Sequence, residues 1–390
     1  MTPVDGMRPF TREEHAARLR AAREGMERAG LAGLFLTSNK NLTYLTGYRT
    51  NLFSSTFRPF TAVIPLEGEP ALLLPNLEEG LGRGTCWFDD VRVWGGARAE
   101  AKDPLALAAQ VITEKGMAGG RVGIERSLGH RVGMTLDQFD ELRGLLPKVT
   151  WADSGALLWQ LRMVKSPAEV DYMRRACRIT DAGIAAAVAI AREGASEFQL
   201  QVAMGEAMMR EGADTIRSLT VASGPERYDM LNPPASDRRL RRGEMVNFDV
   251  GAIYRGYHAD LTRGFFVGEA SPRQRDFYQA ALEIFYETCE AVRPGATCHD
   301  VDQVAEQAIV RRGYREYMLH RTGHSVGTEV HENPSIGPGE RTVLVPGMVL
   351  AIEPGIYDFS IGAFRIEDNA VVTERGYELL SSAPRELIIT

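Results

Sequence analysis

The spacing of apolar and polar positions over the first 150 residues predicts an α/β domain. A helix is predicted from Thr11, which heads the capping sequence Thr-Arg-Glu-Glu, to about Gly30. Its buried face is predicted to contain Leu19, Ala22, Met26 and Ala29. Short apolar runs of strand length follow in LAGLFLTS, TAVIPL, PALLLPN and RVGIE, and AKDPLALAAQVITEKG between the last two has helical spacing. Because strands alternate with helices, we assign residues 1–160 to an α/β domain.

Signals for helix starts divide the remainder of the chain. A capping residue pairs with an acid or amide three positions later at Ser166 with Glu169, Ser196 with Gln199 and Thr297 with Asp300. The first of these helices is predicted to run to about Arg192. Strand patterns follow the helices in MVNFDVGAIYRGYHADLTRGFFV, MVLAIEPGIY and FRIEDNAVVT. Residues 161–390 are therefore predicted to form an α+β domain with internal pseudo-symmetry.

Two aspartates lie within these strand patterns, where aspartate is disfavoured. In MVNFDV the alternation places Val246, Phe248 and Val250 on one face and Asn247 and Asp249 on the other. A turn at Tyr254-Arg-Gly256 is predicted to return the chain with His258, Asp260 and Thr262 on a shared face. The sequence thus predicts that Asp249 and Asp260 come together.

Further polar residues cluster near the C-terminus. The segment HRTGHSVGTEVHENP contains His320, His324 and His331, three of only seven histidines, and its glycines favour a loop or strand. Glu353 ends the apolar run VLAIE, and Glu367 lies in FRIEDN. Burying such carboxylates unpaired is costly, so a metal ion or Arg365 is expected to compensate them.

Composition narrows the class of protein. The 390 residues include 45 Lys plus Arg and 52 Asp plus Glu, which gives a formal net charge of −7. This ordinary globular composition excludes disorder, collagen and a disulfide scaffold, and the acidic balance argues against nucleic-acid binding. The four cysteines show no CxxC spacing, the N-terminus has no apolar leader run, and the most apolar stretch, 182–191, is too short to span a bilayer. We therefore predict a cytoplasmic protein without membrane contact.

The polar segments together resemble the pita-bread metallopeptidase family, which includes methionine aminopeptidase, aminopeptidase P, prolidase and creatinase. The five metal ligands of that family match Asp249 in NFDVG, Asp260 in HADLTR, His324 in TGHSVG, Glu353 in IEPGIY and Glu367 in RIEDN. KSPAEVDYMRRACRITDAG resembles the start of the catalytic domain. NKNLTYLTGY resembles the creatinase/prolidase-type N-terminal domain, which favours the aminopeptidase P, prolidase and creatinase branch.

The resemblance implies a dinuclear metal centre in which Asp260 and Glu367 bridge two divalent ions. Asp249 would complete one site, and His324 with Glu353 the other. The oxygen-rich ligand set suits Mn²⁺, with Co²⁺, Zn²⁺ or Fe²⁺ as alternatives. A metal-bridging hydroxide would attack the scissile carbonyl, with Glu353 carrying the proton. The resemblance also implies that His331 and His320 stabilise the tetrahedral intermediate, and that Arg365 and Tyr357 support the site.

One position departs from the family pattern. Prolidases and aminopeptidases P carry a histidine where VASGPERYDMLNPPASDRRL places Asn232, which cannot accept a proton near neutral pH. Asn232 is nevertheless expected to bind substrate. Arg49, Arg58 and Arg227 are candidates for holding a substrate carboxylate, with Arg58 preferred, although each alone also fits a solvated surface arginine.

Four functions therefore remain open. The intact ligand set favours an Xaa-Pro dipeptidase or aminopeptidase P-like hydrolase of peptides. The departure at Asn232 favours hydrolysis of a small non-peptide C–N bond, as in the creatinase and ectoine-hydrolase branches. A lyase on the same scaffold and a catalytically silent binding module are the remaining alternatives. The resemblance further implies a homodimer.

Overall fold

The chain is described by a computed structural model that covers residues 9–55, 57–96 and 103–390. It divides into two compact units, Met1–Arg162 and Met163–Thr390. Residues 1–8, part of the N-terminal segment considered for a leader peptide, and residues 101–102 of the helix predicted at 101–116 lie outside the described residues. Among the described helices, none is long and apolar enough to cross a membrane.

The first unit is a six-stranded mixed sheet with helices, as the α/β prediction requires. The strand order is β4-β3-β2-β1-β5-β6. The β1–β5, β5–β6 and β3–β4 pairs are parallel, whereas β2 pairs antiparallel with β1 and β3. Its elements are α1 (Arg12–Ala29), β1 (Gly33–Leu36), α2 (Asn39–Thr46), β2 (Thr61–Pro65), β3 (Ala71–Pro75), α3 (Glu79–Thr85), β4 (Val91–Trp94), α4 (Pro104–Glu114), β5 (Arg121–Ile124), α5 (Leu136–Leu145), β6 (Thr150–Asp153) and α6 (Gly155–Met163).

Helix α1 shows how the local signals act. The Thr11 hydroxyl accepts a hydrogen bond from the Glu14 amide, and the helix ends at Gly30 in the left-handed conformation with φ 62°. Leu19 and Met26 are buried as predicted. Ala29 is exposed instead, and it is the last helical residue before the C-cap, where the helix leaves the core.

The second unit combines four α-helices with strands that pair antiparallel, apart from one parallel pair between Leu261–Phe266 and Ile388–Ile389. One sheet has the order β18-β10-β8-β7 with β9 paired to β8, another has the order β12-β11-β13-β16-β17, and β14 pairs with β15. The elements are α7 (Pro167–Ile190), α8 (Glu197–Arg210), β7 (Thr215–Ser223), β8 (Met245–Tyr254), β9 (Tyr257–His258), β10 (Leu261–Phe266), α9 (Pro272–Glu290), α10 (Cys298–Arg311), β11 (Gly323–Ser325), β12 (Glu332–Ile336), β13 (Val349–Ile352), β14 (Gly355–Asp358), β15 (Gly362–Arg365), β16 (Asp368–Val372), β17 (Tyr377–Leu379) and β18 (Ile388–Ile389).

The second unit contains the predicted repeated order of helices and strands. Helices α7 and α8 precede the first sheet, and α9 and α10 precede the second. All four helices begin with reciprocal capping boxes, including the one at Ser271 with Gln274 that the sequence reading missed. A bridge between Thr262 and Glu367 joins the two sheets. The candidate site lies at this junction.

Candidate metal centre

Strand β8 presents Asp249 as its alternation predicts. Val246, Phe248 and Val250 are fully buried in the core, and Asp249 points to the other face. The residue directly opposite Asp249 on β10 is Thr262.

Asp260 lies between β9 and β10, and not within one continuous strand as the sequence suggested. The reason is that its backbone pairs with a side chain. The Asp260 amide donates to Asn369 Oδ1 at 3.0 Å, and Asn369 Nδ2 donates to the Asp260 carbonyl at 3.1 Å. This pairing still leaves the carboxylate of Asp260 beside that of Asp249.

His324 is buried in β11, next to a β-bulge. Its Nδ1 lies 3.0 Å from the Ser325 carbonyl oxygen, which can only accept, so Nδ1 carries the proton and Nε2 of the neutral ring has a lone pair. Nε2 faces Asp260 Oδ2 at 3.7 Å and Glu353 Oε1 at 3.6 Å. Burial, reinforced by His331, lowers the pKa of His324 to about 3.

The two glutamates complete the cluster from the second sheet. The Glu353 amide donates to the Thr322 carbonyl at 2.8 Å, which fixes the end of β13. Glu367 Oε2 accepts from the Thr262 hydroxyl at 2.6 Å. Burial, with repulsion from neighbouring carboxylates, raises the pKa of Glu353 and raises that of Glu367 well above its usual range. The pKa of Asp260 is raised in the same way.

The five predicted ligand residues converge. Their ligand atoms form two groups within which all atoms lie no more than 4.8 Å apart, Asp249 with Asp260 and Glu367, and His324 with Glu353 and Glu367. A third such group joins Asp260 and His324 to His331. Buried carboxylates that repel each other, and an imidazole lone pair that faces two of them, need cations among them. The donor set therefore fits hard divalent cations.

Two arginines supply positive charge to this cluster. Arg365 hydrogen-bonds Asp249 Oδ2 and donates from Nε to the Thr262 hydroxyl at 3.1 Å. Arg217 donates from Nη2 to Asp249 Oδ1 at 2.9 Å and also to Asp260 Oδ1. The sequence reading missed Arg217. Its only signal was a charged residue inside the strand-like run TIRSLTVAS.

The other two histidines border the cluster. His320 Nδ1 lies 2.7 Å from the Arg321 carbonyl, so Nε2 accepts from the Tyr357 hydroxyl at 2.6 Å. His331 is more exposed, and its ring centroid lies 4.3 Å from that of His324. Desolvation lowers the pKa of both His320 and His331. Both rings therefore carry no charge near neutral pH, and the exposed His331 is the one open to a substrate, because both nitrogens of His320 are engaged.

A cavity adjoins Asp249 and Arg365 and is largely apolar. Its apolar lining comes from Ala222, Tyr228, Met230, Leu231, Tyr357 and Ala363. Asn232 follows this lining in the chain but is itself exposed. The structure thus places Asn232 beside the cavity-lining loop without bringing its side chain into the ligand cluster.

The candidate carboxylate-binding arginines are not part of this cluster. Arg58 belongs to the first unit, where it is exposed and lines a cavity with Asn39 and Phe53. Arg49 is also exposed in that unit. Arg227 differs from the expectation, because its guanidinium contacts the buried Glu197 at 3.3 Å and the Pro234 carbonyl at 2.6 Å and so holds a loop.

Fold and site define the class of protein. The chain belongs to metallopeptidase family M24, whose family model matches residues 171–374, and the creatinase/prolidase N-terminal domain model matches residues 18–164. The prediction of a pita-bread peptidase with this N-terminal domain is confirmed. Membership of this metallopeptidase family implies divalent metal ions.

Individual relatives are dipeptidases by name. A probable dipeptidase PepE of Mycobacterium tuberculosis is 35% identical over 396 residues, which cover 98% of this chain and 99% of the relative. The crystal structure of dipeptidase PepE from Mycobacterium ulcerans has a TM-score of 0.83 at 35% identity and covers 97% of this chain and 99% of that one. An Xaa-Pro dipeptidase from Bacillus anthracis has a TM-score of 0.86 at 26% identity, with 96% and 100% covered.

Proposed function

We propose that this chain is a dinuclear-metal Xaa-Pro dipeptidase. The observation that carries the proposal is the convergence of Asp249, Asp260, His324, Glu353 and Glu367 into overlapping ligand groups. Asp260, Glu367 and His324 each belong to two of these groups. A carboxylate has two oxygen atoms to share between two ions, whereas the neutral imidazole offers one lone pair, which supports Asp260 and Glu367 as the shared ligands. The oxygen-rich set favours Mn²⁺. When bound, two such cations would polarise the scissile carbonyl and activate the attacking water.

The surrounding side chains would bind the peptide and manage protons. Glu353, whose pKa is raised by burial, is suited to accept a proton and deliver it to the leaving nitrogen. His331 is exposed beside His324 and can donate a hydrogen bond to the substrate carbonyl oxygen as negative charge develops there. His320 engages the Arg321 carbonyl through Nδ1 and the Tyr357 hydroxyl through Nε2, so its predicted role in stabilising the tetrahedral intermediate requires one of these hydrogen bonds to break.

The apolar side chains beside Asp249 are chemically suited to a proline-containing substrate. A pyrrolidine ring has no polar atoms apart from its amide nitrogen, and Ala222, Leu231 and Ala363 offer it apolar contacts. The cavity among them has a volume of about 20 Å³, which holds about one water molecule, so a ring would enter it only after these side chains move apart. The dipeptidase names of the full-length relatives agree with a short peptide substrate. A homodimer, a cytoplasmic location and substrate contacts from Arg58 and Asn232 remain predictions.

The test combines metal analysis with peptide hydrolysis. Protein freed of metal by a chelator and reloaded with Mn²⁺ is expected to bind two equivalents and to hydrolyse the Ala-Pro bond of Ala-Pro, which yields alanine and proline, faster than that of the longer Ala-Pro-Ala, which yields alanine and Pro-Ala. Ala-Ala and creatine serve as controls for proline specificity and for the small-substrate alternative. Bound Mn²⁺ with no release of the amino-terminal alanine from either proline peptide would refute the peptidase proposal. Faster turnover of the tripeptide would assign an aminopeptidase P-like activity instead.

A further inference from the structure

Arg217 reaches the ligand cluster because of a local irregularity in β7. This strand pairs with β8 along its length, but the register shifts between Ile216 and Ser218. Arg217 is the extra residue of this β-bulge. Bulges re-aim side chains, and here the bulge directs a guanidinium towards Asp249 and Asp260.

The guanidinium of Arg217 hydrogen-bonds the carboxylate oxygens that a cation bound by Asp249 and Asp260 would need. Its Nη2 donates to Oδ1 of Asp249 and to Oδ1 of Asp260, while Arg365 donates to the other oxygen of Asp249. A divalent cation bound by Asp249 and Asp260 would compete with Arg217 for these oxygens. It would also be repelled by the positive charge of Arg217 at close range.

The other side of the cluster is different. Asp260 Oδ2 and Glu353 Oε1 face Nε2 of His324 at 3.7 and 3.6 Å, and that nitrogen carries a lone pair and no proton. A cation placed between them gains three ligand atoms without displacing a hydrogen-bond donor of His324. The half of the cluster at His324 and Glu353 is therefore better suited to bind a cation than the half at Asp249.

Arg217 is also less firmly held than a structural arginine of the same unit. Arg263 is 3% exposed, and its nitrogens donate to Asp368 Oδ2 and to the backbone carbonyls of Thr262 and Pro384, among others. The side chain of Arg217 is 19% exposed, and its buried Nε has no hydrogen-bond partner among the described residues. Withdrawal of Arg217 therefore breaks few contacts besides those to Asp249 and Asp260.

We propose that Arg217 is a built-in counter-ion of the Asp249–Asp260 pair and that a divalent cation must displace it to bind there. Arg217 thereby lowers the affinity of this half of the centre for metal. The proposal rests on the dinuclear centre of the proposed function. Its consequence is that one cation binds tightly and the second binds only when the metal concentration is high enough to displace the guanidinium.

The experiment is a Mn²⁺ titration of metal-free protein, followed by the electron paramagnetic resonance signal of unbound Mn²⁺ and by calorimetry. Wild type is expected to bind a second equivalent at least 10-fold more weakly than the first. In Arg217→Met the second equivalent should tighten at least 10-fold, while the first changes less than 3-fold. Arg217→Lys keeps a positive charge and should give an intermediate affinity, which provides a folded variant if Arg217→Met is unstable. Arg210→Met, at an exposed arginine paired with Glu206, is the matched control and should not differ from wild type.

The outcomes separate this proposal from the proposed function. A second equivalent that stays within 3-fold of wild type, or that weakens, in both Arg217 variants would overturn the role of Arg217 and leave the dinuclear centre intact. Wild type that binds no Mn²⁺ at either site would overturn the dinuclear centre itself, and the role of Arg217 with it.

Discussion

His324 is the side chain whose chemistry the structure constrains most closely. Its Nδ1 proton is committed to the Ser325 carbonyl, and its Nε2 faces two carboxylates. Replacing His324 with alanine removes one proposed ligand without adding charge. Loss of an outer-shell partner of a metal site typically costs about 10–100-fold in affinity or activity, so loss of this ligand should lower kcat/KM by at least about 100-fold. The measurement is Mn²⁺-dependent hydrolysis of Ala-Pro together with bound Mn²⁺ per chain.

The control for this substitution is His299→Ala. His299 lies in α10, where Nδ1 accepts from the Gly339 amide, and it belongs to none of the ligand groups found among the described residues. It should keep wild-type metal content and rate. Wild-type metal content in His324→Ala would contradict the assigned role of His324.

The clustered residues were predicted as ligands because their segments resemble the ligand motifs of the family, whereas Arg217 lies in no such motif. The local pattern alone gave a weaker signal, since aspartate is unfavourable within strand patterns and His324 is one of few histidines. An arginine in a strand commonly points to solvent, so its presence in a strand-like run does not by itself indicate a site. Whether Arg217 points into the site depends on the bulge after Ile216, and a one-residue change of register is not visible in the local sequence pattern.

Two glycines let the ligand-bearing strands approach closely. A Cβ on Gly251, two residues after Asp249, would lie 2.0 Å from the Ala259 carbonyl oxygen next to Asp260. A Cβ on Gly323, just before His324, would lie 2.0 Å from the Ala351 carbonyl oxygen, two residues before Glu353. Both contacts involve backbone of the neighbouring segment, which cannot move aside without shifting a proposed ligand.

Gly251→Ala is therefore expected to separate Asp249 from Asp260. Overpacking of this kind typically costs about 1–3 kcal/mol, and the free energy of unfolding should fall by that amount. The Mn²⁺ equivalent assigned to Asp249 should weaken or disappear in the same variant. Urea unfolding and a Mn²⁺ titration measure the two effects.

Gly376→Ala is the matched control, because a Cβ there meets nothing within 4 Å. It should change the free energy of unfolding by less than about 0.5 kcal/mol. If Gly251→Ala retains both the stability and the metal binding of wild type, the close approach of the strands is not required for the site.

Elements with strong local signals were predicted, and elements that depend on tertiary context were not. The helix after Ser166 was recognisable because capping residue, proline and glutamate all agree. Helix α9 has the same signals at Ser271 and Gln274, so the local sequence contains enough information to predict it as well. The break at Asp260 was different, since it arises from pairing with Asn369, 109 residues further along the chain.

Largely buried carboxyl groups cluster at the junction of the two sheets of the second unit. Burial raises the pKa of Asp260, Glu353 and Glu367 in the metal-free protein. A carboxyl group with a higher pKa in the native state than in the unfolded state binds protons more tightly when folded. At pH values between the unfolded pKa of about 4 and the raised native pKa, the free energy of unfolding therefore decreases as pH rises.

The histidines of the site act in the opposite direction at lower pH. His320, His324 and His331 have lowered pKa values, so their contribution to stability is present above the unfolded pKa of about 6.5 and is lost as pH falls below it. Well above pH 6.5 these rings are neutral in both states. A pH dependence that the carboxyl groups contribute in that range is therefore not obscured by the histidines.

Metal binding should counteract the decrease in the free energy of unfolding that the carboxyl groups cause at higher pH. Cations bind the deprotonated carboxylates, so the stabilisation by Mn²⁺ is expected to increase as pH rises from 6.5 to 8. At a fixed free Mn²⁺ concentration of about 100 times the Kd at pH 8, the Tm should rise by about 5 °C at pH 8, and by less at pH 6.5, where the Kd is larger. Differential scanning calorimetry of metal-free and Mn²⁺-loaded protein measures this difference, and His324→Ala should show a smaller shift at both pH values. A Mn²⁺-induced shift that is constant or decreases with pH would show that the buried carboxylates are not the groups that bind the metal.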